Sequence, residues 1–512
     1  MTTEHQPSAS NGATPRGGEA EVAIIGSGFS GLGMAIRLKQ AGIDDFVVLE
    51  RADELGGTWR DNHYPGCCCD VPSHVYSFSF ELNPFWTRGF APQWEIRDYL
   101  RRTAEKYGVL PHIRFGHEVT EAAWDDGAQR WSIETTGGDF TARVLVSGAG
   151  PLSDPTVPAL PGLDDFQGRA FHSAVWDHDH DLTGERVAVI GTGASAIQFV
   201  PAIQPQVERM HVFQRTAPWV IPRFDHEITD VEHTLLRRIP FAPAIVRSVL
   251  YWTLESRVVG FRNPRLMKLA DRVARWHLRR QVPDEQLREK LTPGYVMGCK
   301  RILISDDYYP SLTKPNVEVL TEGVKQVRER SIVSGDGSER EIDTIIFGTG
   351  FHVADPPIAA RIRGRDGRTL AEHWAGGMTA YLGTTVAGFP NLFFLLGPNT
   401  GLGHNSMVYM IESQLNYVID ALRVMRERDA RAVEVRPDVQ ERYNEELQAA
   451  MKGTVWTAGQ CQSWYLDDTG RNTTLWPSWT FRFRGRTRRF DAESYVVENR
   501  PAHAEARAEA SA

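Results

Sequence analysis

The stretch Glu21-Val-Ala-Ile-Ile-Gly26-Ser-Gly28-Phe-Ser-Gly31 decides the fold of this 512-residue chain. An apolar run of strand length leads into glycines spaced G-x-G-x-x-G, and apolar residues then recur at helical spacing through Leu38. A second apolar run, Phe46–Glu50, follows. This order of strand, glycine turn, helix and strand is a βαβ unit, so the sequence predicts an α/β protein with a Rossmann-like domain.

The glycines and the acid of this unit are typical of a dinucleotide site. The glycines permit a tight turn and a close approach of the backbone to a pyrophosphate. The helix N-terminus faces the phosphates with free N–H groups and a positive dipole end. Glu50 ends the second strand, where a carboxylate accepts from a ribose 2′-OH. The predicted contacts are Gly26, Gly28, Phe29, Ser30, Gly31 and Glu50.

A second βαβ unit begins at Arg186-Val-Ala-Val-Ile-Gly191, and Ala196 replaces its third glycine. Arg215 lies at the same offset from Gly191 as Glu50 does from Gly26. A guanidinium at this position accommodates a 2′-phosphate, whereas an acid prefers an unphosphorylated ribose. The second unit is therefore predicted to bind NADPH, through Gly191, Gly193, Ala194, Ser195 and Arg215.

Between the two units lies Phe166-Gln-Gly168-Arg-Ala-Phe-His172-Ser-Ala-Val-Trp176-Asp177. Its spacing, F-x-G-x-x-x-H-x-x-x-W-D, is similar to the fingerprint of type I Baeyer–Villiger monooxygenases, and the resemblance runs from about Glu21 to Phe490. It implies two Rossmann-like domains, one for FAD and one for NADPH. We interpret His172 and Trp176 as residues that fix a linker between the domains, where motion would affect rate.

Two further segments resemble the flavin-side loops of this family. Gly57-Thr58-Trp59 is the first, and Tyr64-Pro-Gly66 followed by Asp70 and Tyr76 is the second. Asp70 matches the active-site aspartate by its position, although a loop aspartate that caps a turn is the simpler interpretation of such a residue alone. Cys67–Cys69 occupy positions where the residues of the family vary.

Gly298-Cys-Lys300-Arg301 matches the segment that carries the family's essential arginine. The resemblance makes Arg301 the first catalytic candidate, with Lys300 as a second partner of the NADP phosphate and Thr216 as a further phosphate contact. Taken alone, a Lys-Arg pair is more often a solvated surface pair.

The C-terminal part resembles the family at three places. Gly348-Thr-Gly350 resembles the second crossing between domains, with glycine where alanine is commoner at 348. Gly397-Pro-Asn399 resembles a flavin-cradling loop, and Trp464 is a candidate for the mobile loop that closes over NADP⁺.

The reaction that the resemblance implies uses NADPH to reduce FAD, and O₂ then forms a C4a-peroxyflavin that attacks a ketone to give an ester or lactone. A fixed guanidinium at Arg301 would stabilise the negative charge, and Asp70 would orient it. The alternative is a flavin monooxygenase that oxygenates amine nitrogen or sulfur. A disulfide reductase would need a redox dithiol, which Cys67–Cys69 lack by spacing, and a non-catalytic redox sensor is a third class.

Composition limits the other possibilities. A net charge of −8, with both signs dispersed, argues against a nucleic-acid partner. No apolar run reaches the roughly 18 residues that span a bilayer, so we expect a cytoplasmic protein without an integral membrane segment. Five cysteines, three of them adjacent, predict no metal site and are expected to be reduced, buried side chains.

The predicted organisation has a disordered tail at residues 1–18, a FAD-binding domain at 19–150 and a linker with the fingerprint at 151–178. The NADP-binding domain covers 179–340 and contains a helical insertion at about 225–292. Residues 341–500 return to the FAD-binding domain and include the mobile loop, and 501–512 form a tail. The sequence does not separate three roles for the apolar side chains of the insertion: a protein core, the wall of a substrate tunnel or a peripheral membrane contact.

Overall fold

The computed structural model describes residues 17–459, 461, 463–467 and 469–499. The two predicted tails lie outside the described residues, apart from Gly17 and Gly18.

The described β-strands are β1 (Glu19–Ile25), β2 (Phe46–Leu49), β3 (Ile113–Arg114), β4 (Val119–Asp125), β5 (Arg130–Thr135), β6 (Phe140–Ser147), β7 (Arg169–His172), β8 (Arg186–Ile190), β9 (Arg209–Phe213), β10 (Val220–Ile221), β11 (Leu303–Ile304), β12 (Val317–Leu320), β13 (Val324–Arg328), β14 (Ser331–Ser334), β15 (Glu339–Glu341), β16 (Thr344–Phe347), β17 (Ile362–Arg363), β18 (Leu392–Phe394), β19 (Ala430–Val435) and β20 (Tyr495–Asn499).

The described α-helices are α1 (Phe29–Gln40), α2 (Thr58–Asp61), α3 (Gln93–Lys106), α4 (Ala196–Ile203), α5 (Asp230–Arg238), α6 (Ala242–Ser256), α7 (Val258–Arg262), α8 (Pro264–Gln281), α9 (Glu285–Lys290), α10 (Tyr308–Leu312), α11 (Leu370–His373), α12 (Met407–Glu427), α13 (Pro437–Met451), α14 (Val455–Ala458) and α15 (Thr480–Arg486).

The first sheet has eight strands in the order β17-β4-β5-β6-β1-β2-β3, and β18 pairs with β6. Its centre is parallel, because β1 pairs with β2 and with β6, and β18 pairs with β6, in the same direction. Strands β4, β5 and β6 form an antiparallel meander. The buried apolar runs of β1 and β2 follow from this position, since a central parallel strand is covered on both faces.

The second sheet is parallel, in the order β12-β9-β8-β16-β7. Two of its strands differ from the predicted organisation. Strand β7 lies within the stretch interpreted as a linker, yet it pairs in register with β16 at the sheet edge. Strand β16 itself lies beyond the predicted end of the NADP-binding domain. The second sheet therefore extends on both sides of the predicted boundaries, because parallel pairing joins segments far apart in the sequence.

Helices α5 to α9 form a helical insertion between β10 and β11. These two short strands pair with each other in parallel. Thr229 and Glu232 form a capping box at the start of α5. Among the described helices, none is both long and apolar enough to cross a membrane.

Both glycine turns are closely packed against neighbouring backbone. A Cβ atom at Gly31 would lie 1.8 Å from the carbonyl oxygen of Gly26, so helix α1 can approach β1 only with glycine there. In the second unit, Ala196 occupies the equivalent position and faces Gly348, where a Cβ atom would lie 3.3 Å from that of Ala196.

We predict that Gly31→Ala weakens folding by about 1–3 kcal/mol and lowers the flavin content of the purified protein, because the added methyl group forces α1 away from β1. Unfolding curves and flavin absorbance per protein measure both effects. Gly485→Ala is the matched control. The residue is in helix α15, and among the described residues no atom beyond its chain neighbours and its own helix backbone lies within 4 Å of its added Cβ. Equal stability and flavin content in wild type and Gly31→Ala would contradict the packing argument.

Candidate active site

A cavity of about 310 Å³ lies where parallel strands of the first sheet end. The last residues of β1, β2, β6 and β18 all line it, which is the usual position of a ligand site in an α/β sheet. Of the residues predicted from sequence, the cavity lining includes Gly26, Gly28, Phe29, Ser30, Glu50, Gly57, Thr58, Trp59, Tyr76, Arg301 and Trp464.

The start of α1 fits a pyrophosphate group. Gly28 is the N-cap, and it has no side chain that could accept a hydrogen bond from the first turn. The N–H groups of this turn are therefore available to an anion. Gly57 has a φ of +53°, and its added Cβ would lie 3.1 Å from the Cα of Gly28, so glycine lets the two loops meet beside the cavity.

Glu50 is 3% exposed and accepts hydrogen bonds from four groups. The Ser27 hydroxyl is one of them, over 2.6 Å. The N–H of Ser27 donates to Glu50 over 2.9 Å, the N–H of Ala52 over 3.0 Å and the Nη1 of Arg60 over 2.8 Å. Burial opposes ionisation, but Arg60 and the hydrogen bonds outweigh it and lower the pKa of Glu50. Each carboxylate oxygen already accepts two hydrogen bonds, so a ribose hydroxyl would replace one of the present donors.

Three aromatic side chains form one wall of the cavity. The ring of Phe29 meets that of Tyr76 edge-on with centroids 5.1 Å apart, and Trp59 Nε1 donates to the Tyr76 hydroxyl over 3.1 Å. Such a wall suits a flat aromatic ligand and keeps water from one side of it.

Arg301 lies on the cavity and is paired with Asp70. Its Nε and Nη2 both donate to Oδ2 of Asp70, over 2.9 Å and 2.5 Å. Asp70 raises the pKa of Arg301 further above its usual value, so the guanidinium stays charged. About a third of the Arg301 side chain, 32%, is still exposed. The buried Tyr465 lies beside this pair, and burial raises the pKa of Tyr465 to about 12.

The cysteines partly contradict the sequence interpretation. Cys299 and Cys461 form a disulfide across 162 residues, so the expectation of reduced cysteines is wrong for this pair. No local spacing in the sequence could reveal this disulfide. Only the fold brings Cys461, in the C-terminal segment, next to Cys299, which lies two residues before Arg301. Cys67, Cys68 and Cys69 are free, and burial raises the pKa of Cys67 to about 12, which opposes thiolate chemistry.

Arg215 and Lys300 form a pair of neighbouring cations in the second half of the molecule. Burial and the positive charge of Arg215 lower the pKa of Lys300. Among the described residues, no carboxylate forms an ion pair with either side chain. Gly193 is open, with its nearest neighbour 3.9 Å from an added Cβ, and helix α4 starts without a side-chain cap at Ser195. This arrangement suits a bound phosphate.

Further predicted contacts of the NADP site lie around the second glycine turn. Ala194 directly precedes Ser195, and the backbone oxygen of Thr216 accepts from Thr192 Oγ1 over 3.4 Å. Gly191 has a φ of +108°, so the turn requires glycine.

The fingerprint residues surround β7 and are not part of the cavity lining. An added Cβ at Gly168 would lie 2.1 Å from the carbonyl oxygen of Asp343. Trp176 packs against Phe171, with ring centroids 5.2 Å apart, and Asp177 pairs with Arg169 over 2.7 Å. Phe166 packs on a small apolar cluster under the second sheet. His172 is 3% exposed, and its Nδ1 accepts from the N–H of Ala174.

Some residues predicted from the sequence lie beside the cavity and not in its lining. Two residues at the site, in turn, were not predicted from the sequence. Asn399 is buried and donates to the backbone oxygen of Asn472 over 2.8 Å, which ties two loops together. Gly350, at φ +88°, follows the crossing after β16 and does not line the cavity. Sequence reasoning missed Arg60 and Tyr465, although each directly follows a tryptophan that it singled out.

This chain is similar to known proteins in sequence and in fold. Residues 19–364 match the family model described as flavin-binding monooxygenase-like. A Baeyer–Villiger monooxygenase of Pseudomonas aeruginosa is 54% identical over 98% of this chain and 94% of its own length. One from Streptomyces coelicolor is 55% identical over 96% of this chain and 94% of its own length. The crystal structure of OTEMO with FAD and NADP has a TM-score of 0.85 and 27% identity, and covers 93% of this chain and 99% of that one.

The chain therefore belongs to the flavin-binding monooxygenase-like family. Within that family it is a FAD-containing, NADPH-dependent Baeyer–Villiger monooxygenase, which converts a ketone to an ester or lactone. This assignment replaces three alternatives: the N- or S-oxygenating monooxygenase, the disulfide reductase and the non-catalytic redox sensor.

We predict that His172 makes stability fall in mild acid. Burial lowers the pKa of His172 to about 4 from 6.5, so between these values the unfolded chain binds a proton that the folded chain does not. Stability should fall as pH is lowered through this window, by about 1.4 kcal/mol per unit from this group. His172→Asn keeps an acceptor for Ala174 but does not titrate.

Unfolding measured across this pH range should give a shallower slope for His172→Asn than for the wild type. Identical slopes for wild type and His172→Asn would contradict the assignment.

Proposed function

We propose that the pair of Arg301 and Asp70 is the catalytic centre of this Baeyer–Villiger monooxygenase. The observation that carries the proposal is the setting of the Arg301 guanidinium. It is permanently charged, two hydrogen bonds to Asp70 fix it, and 32% of the Arg301 side chain is exposed at the flavin cavity. A ketone carbonyl beside it would develop negative charge on oxygen during attack, and a preorganised cation stabilises that charge.

The proposed flavin site combines the α1 start, Glu50 and the aromatic wall. The first-turn N–H groups hold the pyrophosphate, Glu50 accepts from the ribose, and Phe29, Trp59 and Tyr76 enclose the flavin side. FAD supplies the hydride acceptance and oxygen activation that side chains lack. The protein's part is to bind, orient and exclude water.

The proposed NADPH site uses the second glycine turn for the pyrophosphate and Arg215 with Lys300 for the 2′-phosphate. Two adjacent cations repel each other, and burial together with this repulsion by Arg215 lowers the pKa of Lys300. A phosphate dianion would remove that repulsion and accept hydrogen bonds from both. Thr216 follows Arg215 directly and is a further proposed contact.

Asp70 is a positioning residue in this proposal. It holds Arg301 in one orientation and balances its charge when no substrate is present. Tyr465 packs against the same pair, and Trp464 lines the cavity next to it, so the C-terminal segment closes the site on one side. The ketone and O₂ are proposed to meet the flavin here.

The two sheets support a proposed division into a FAD-binding unit and an NADP-binding unit. Residues 19–150 and the chain after Phe347 form the first unit, and β7 to β16 belong to the second. We propose a cytoplasmic location, where NADPH is available.

We predict that Arg301→Ala lowers the rate of ester or lactone formation by about 10²–10³-fold, because the developing negative charge loses its stabilising cation. Arg301→Lys should restore little, since an ammonium cannot reproduce the planar contact with Asp70. Product is measured by gas chromatography beside NADPH consumption. Arg301→Ala with wild-type product formation would refute the catalytic assignment.

We predict that Arg215→Gln raises the KM for NADPH by about 10–100-fold and leaves the KM for NADH nearly unchanged, because only NADPH carries the 2′-phosphate. Steady-state kinetics with both cofactors test this. Arg330→Gln, at an exposed arginine between β13 and β14, is the matched control and should leave the preference intact. An unchanged preference in Arg215→Gln would overturn the phosphate assignment.

A further inference from the structure

Three helices of the insertion carry apolar stripes that point away from the core. The exposed residues recur at spacings of three, four and seven, so each set lies along one side of its helix. Their exposed fractions run from 42% to 68%. They are Val231 and Leu235 on α5, Ile245, Val249 and Trp252 on α6, and Leu266, Leu269, Val273 and Trp276 on α8. We call these nine residues the insertion face.

The insertion face is additional to the side of each helix that packs inward. Helix α8 buries Met267, Ala274 and Leu278, and α6 buries Leu254. A helix at the surface of a soluble protein normally has one apolar side, so the second one is unexplained by the fold.

Neighbouring residues extend the insertion face. Phe241, 79% exposed, lies in the turn between α5 and α6, with Ile239 two residues before it. Phe481 of α15 lies beside Trp252, with ring centroids 5.9 Å apart. Exposed aromatic and branched side chains therefore continue from α5 along α6 to the C-terminal part of the chain.

The charge of the same segment is opposite to that of the rest of the protein. Residues 230–281 contain eleven Arg and Lys against four Asp and Glu, a surplus of seven positive charges. The whole chain has a net charge of −8, so the remaining residues carry a net charge of −15. One of the four acids, Glu255, is fully buried and hydrogen-bonded to Asn405.

The surface between the apolar stripes is accordingly basic. Exposed cations interleave with the stripe of α8, and the guanidinium of Arg280 lies 5.5 Å from the ring of Trp276. They are Arg265, Lys268, Arg272, Arg279 and Arg280 on α8, with Arg262 at the end of α7 just before it.

We infer that the insertion face docks the enzyme on the surface of an anionic phospholipid bilayer. Helices with an apolar side, flanking arginines and tryptophan lie in the plane of such a surface, where apolar side chains enter the acyl boundary and cations meet phosphates. The acidic remainder of the protein is repelled from the same surface, which orients the molecule. The inference is independent of the proposed catalytic residues.

Charge also decides against a second copy of this chain as the occupant. A symmetric dimer through the insertion face would bring the same basic patch of both subunits together. Like charges across an interface oppose association, whereas an anionic lipid surface neutralises them.

The test uses the full-length holoenzyme and vesicles of dioleoyl phosphatidylglycerol or dioleoyl phosphatidylcholine in a flotation assay. Wild type should float with phosphatidylglycerol at low salt, and less with phosphatidylcholine or at high salt. A triple variant, Ile245→Ser with Val249→Ser and Trp252→Gln, should lower the partition coefficient at least about 100-fold, because each buried apolar side chain is worth roughly tenfold. Arg272→Glu with Arg279→Glu should lower it roughly fivefold or more per arginine.

Val496→Ser on β20 is the control, since Val496 is 47% exposed but lies outside the insertion. Ketone oxygenation in vesicle-free buffer, unchanged in every variant, would show that each is folded. Failure of wild type to float with phosphatidylglycerol would overturn the inference, and so would equal flotation of the triple variant. Light scattering that finds a wild-type dimer and a monomeric triple variant, without vesicle binding, would assign the face to a second copy instead.

Discussion

The ion pair between Arg301 and Asp70 is the constraint on which the rest of the structure depends. The two residues are 231 positions apart, and in the proposed division each belongs to a different nucleotide-binding half. Their contact therefore requires the two halves to sit together at one edge of the cavity. Because Asp70 occupies only one side of the guanidinium, the pair joins the halves and still presents a positive charge to the cavity.

In the proposed sites, two copies of one backbone design bind different nucleotides, and the residue at one position after the second strand makes the difference. In the first copy Glu50 is buried, and Ser27, Ala52 and Arg60 supply the hydrogen bonds that offset its desolvation. In the second copy Arg215 is exposed beside Lys300. A buried carboxylate suits a neutral hydroxyl, whereas an exposed cation keeps its hydration until a phosphate replaces it.

Local sequence chemistry predicted the two βαβ units and the family, because each depends on neighbouring residues. It also brought forward Arg301 and Asp70, but only through the family motif, since neither residue is distinctive alone. Local sequence patterns could not predict pairing between residues that are far apart in the chain. The disulfide of Cys299 with Cys461, the edge strand β7 and the place of Tyr465 beside Arg301 all arise from contacts that no local period encodes.

The contact between Ala196 and Gly348 couples the residue types that two distant positions can hold. Ala196 stands where the first βαβ unit has Gly31, and Gly348 directly follows β16. Since an added Cβ at 348 would lie only 3.3 Å from that of Ala196, the space accommodates one methyl group more easily than two. A methyl group at one of the two positions therefore favours glycine at the other.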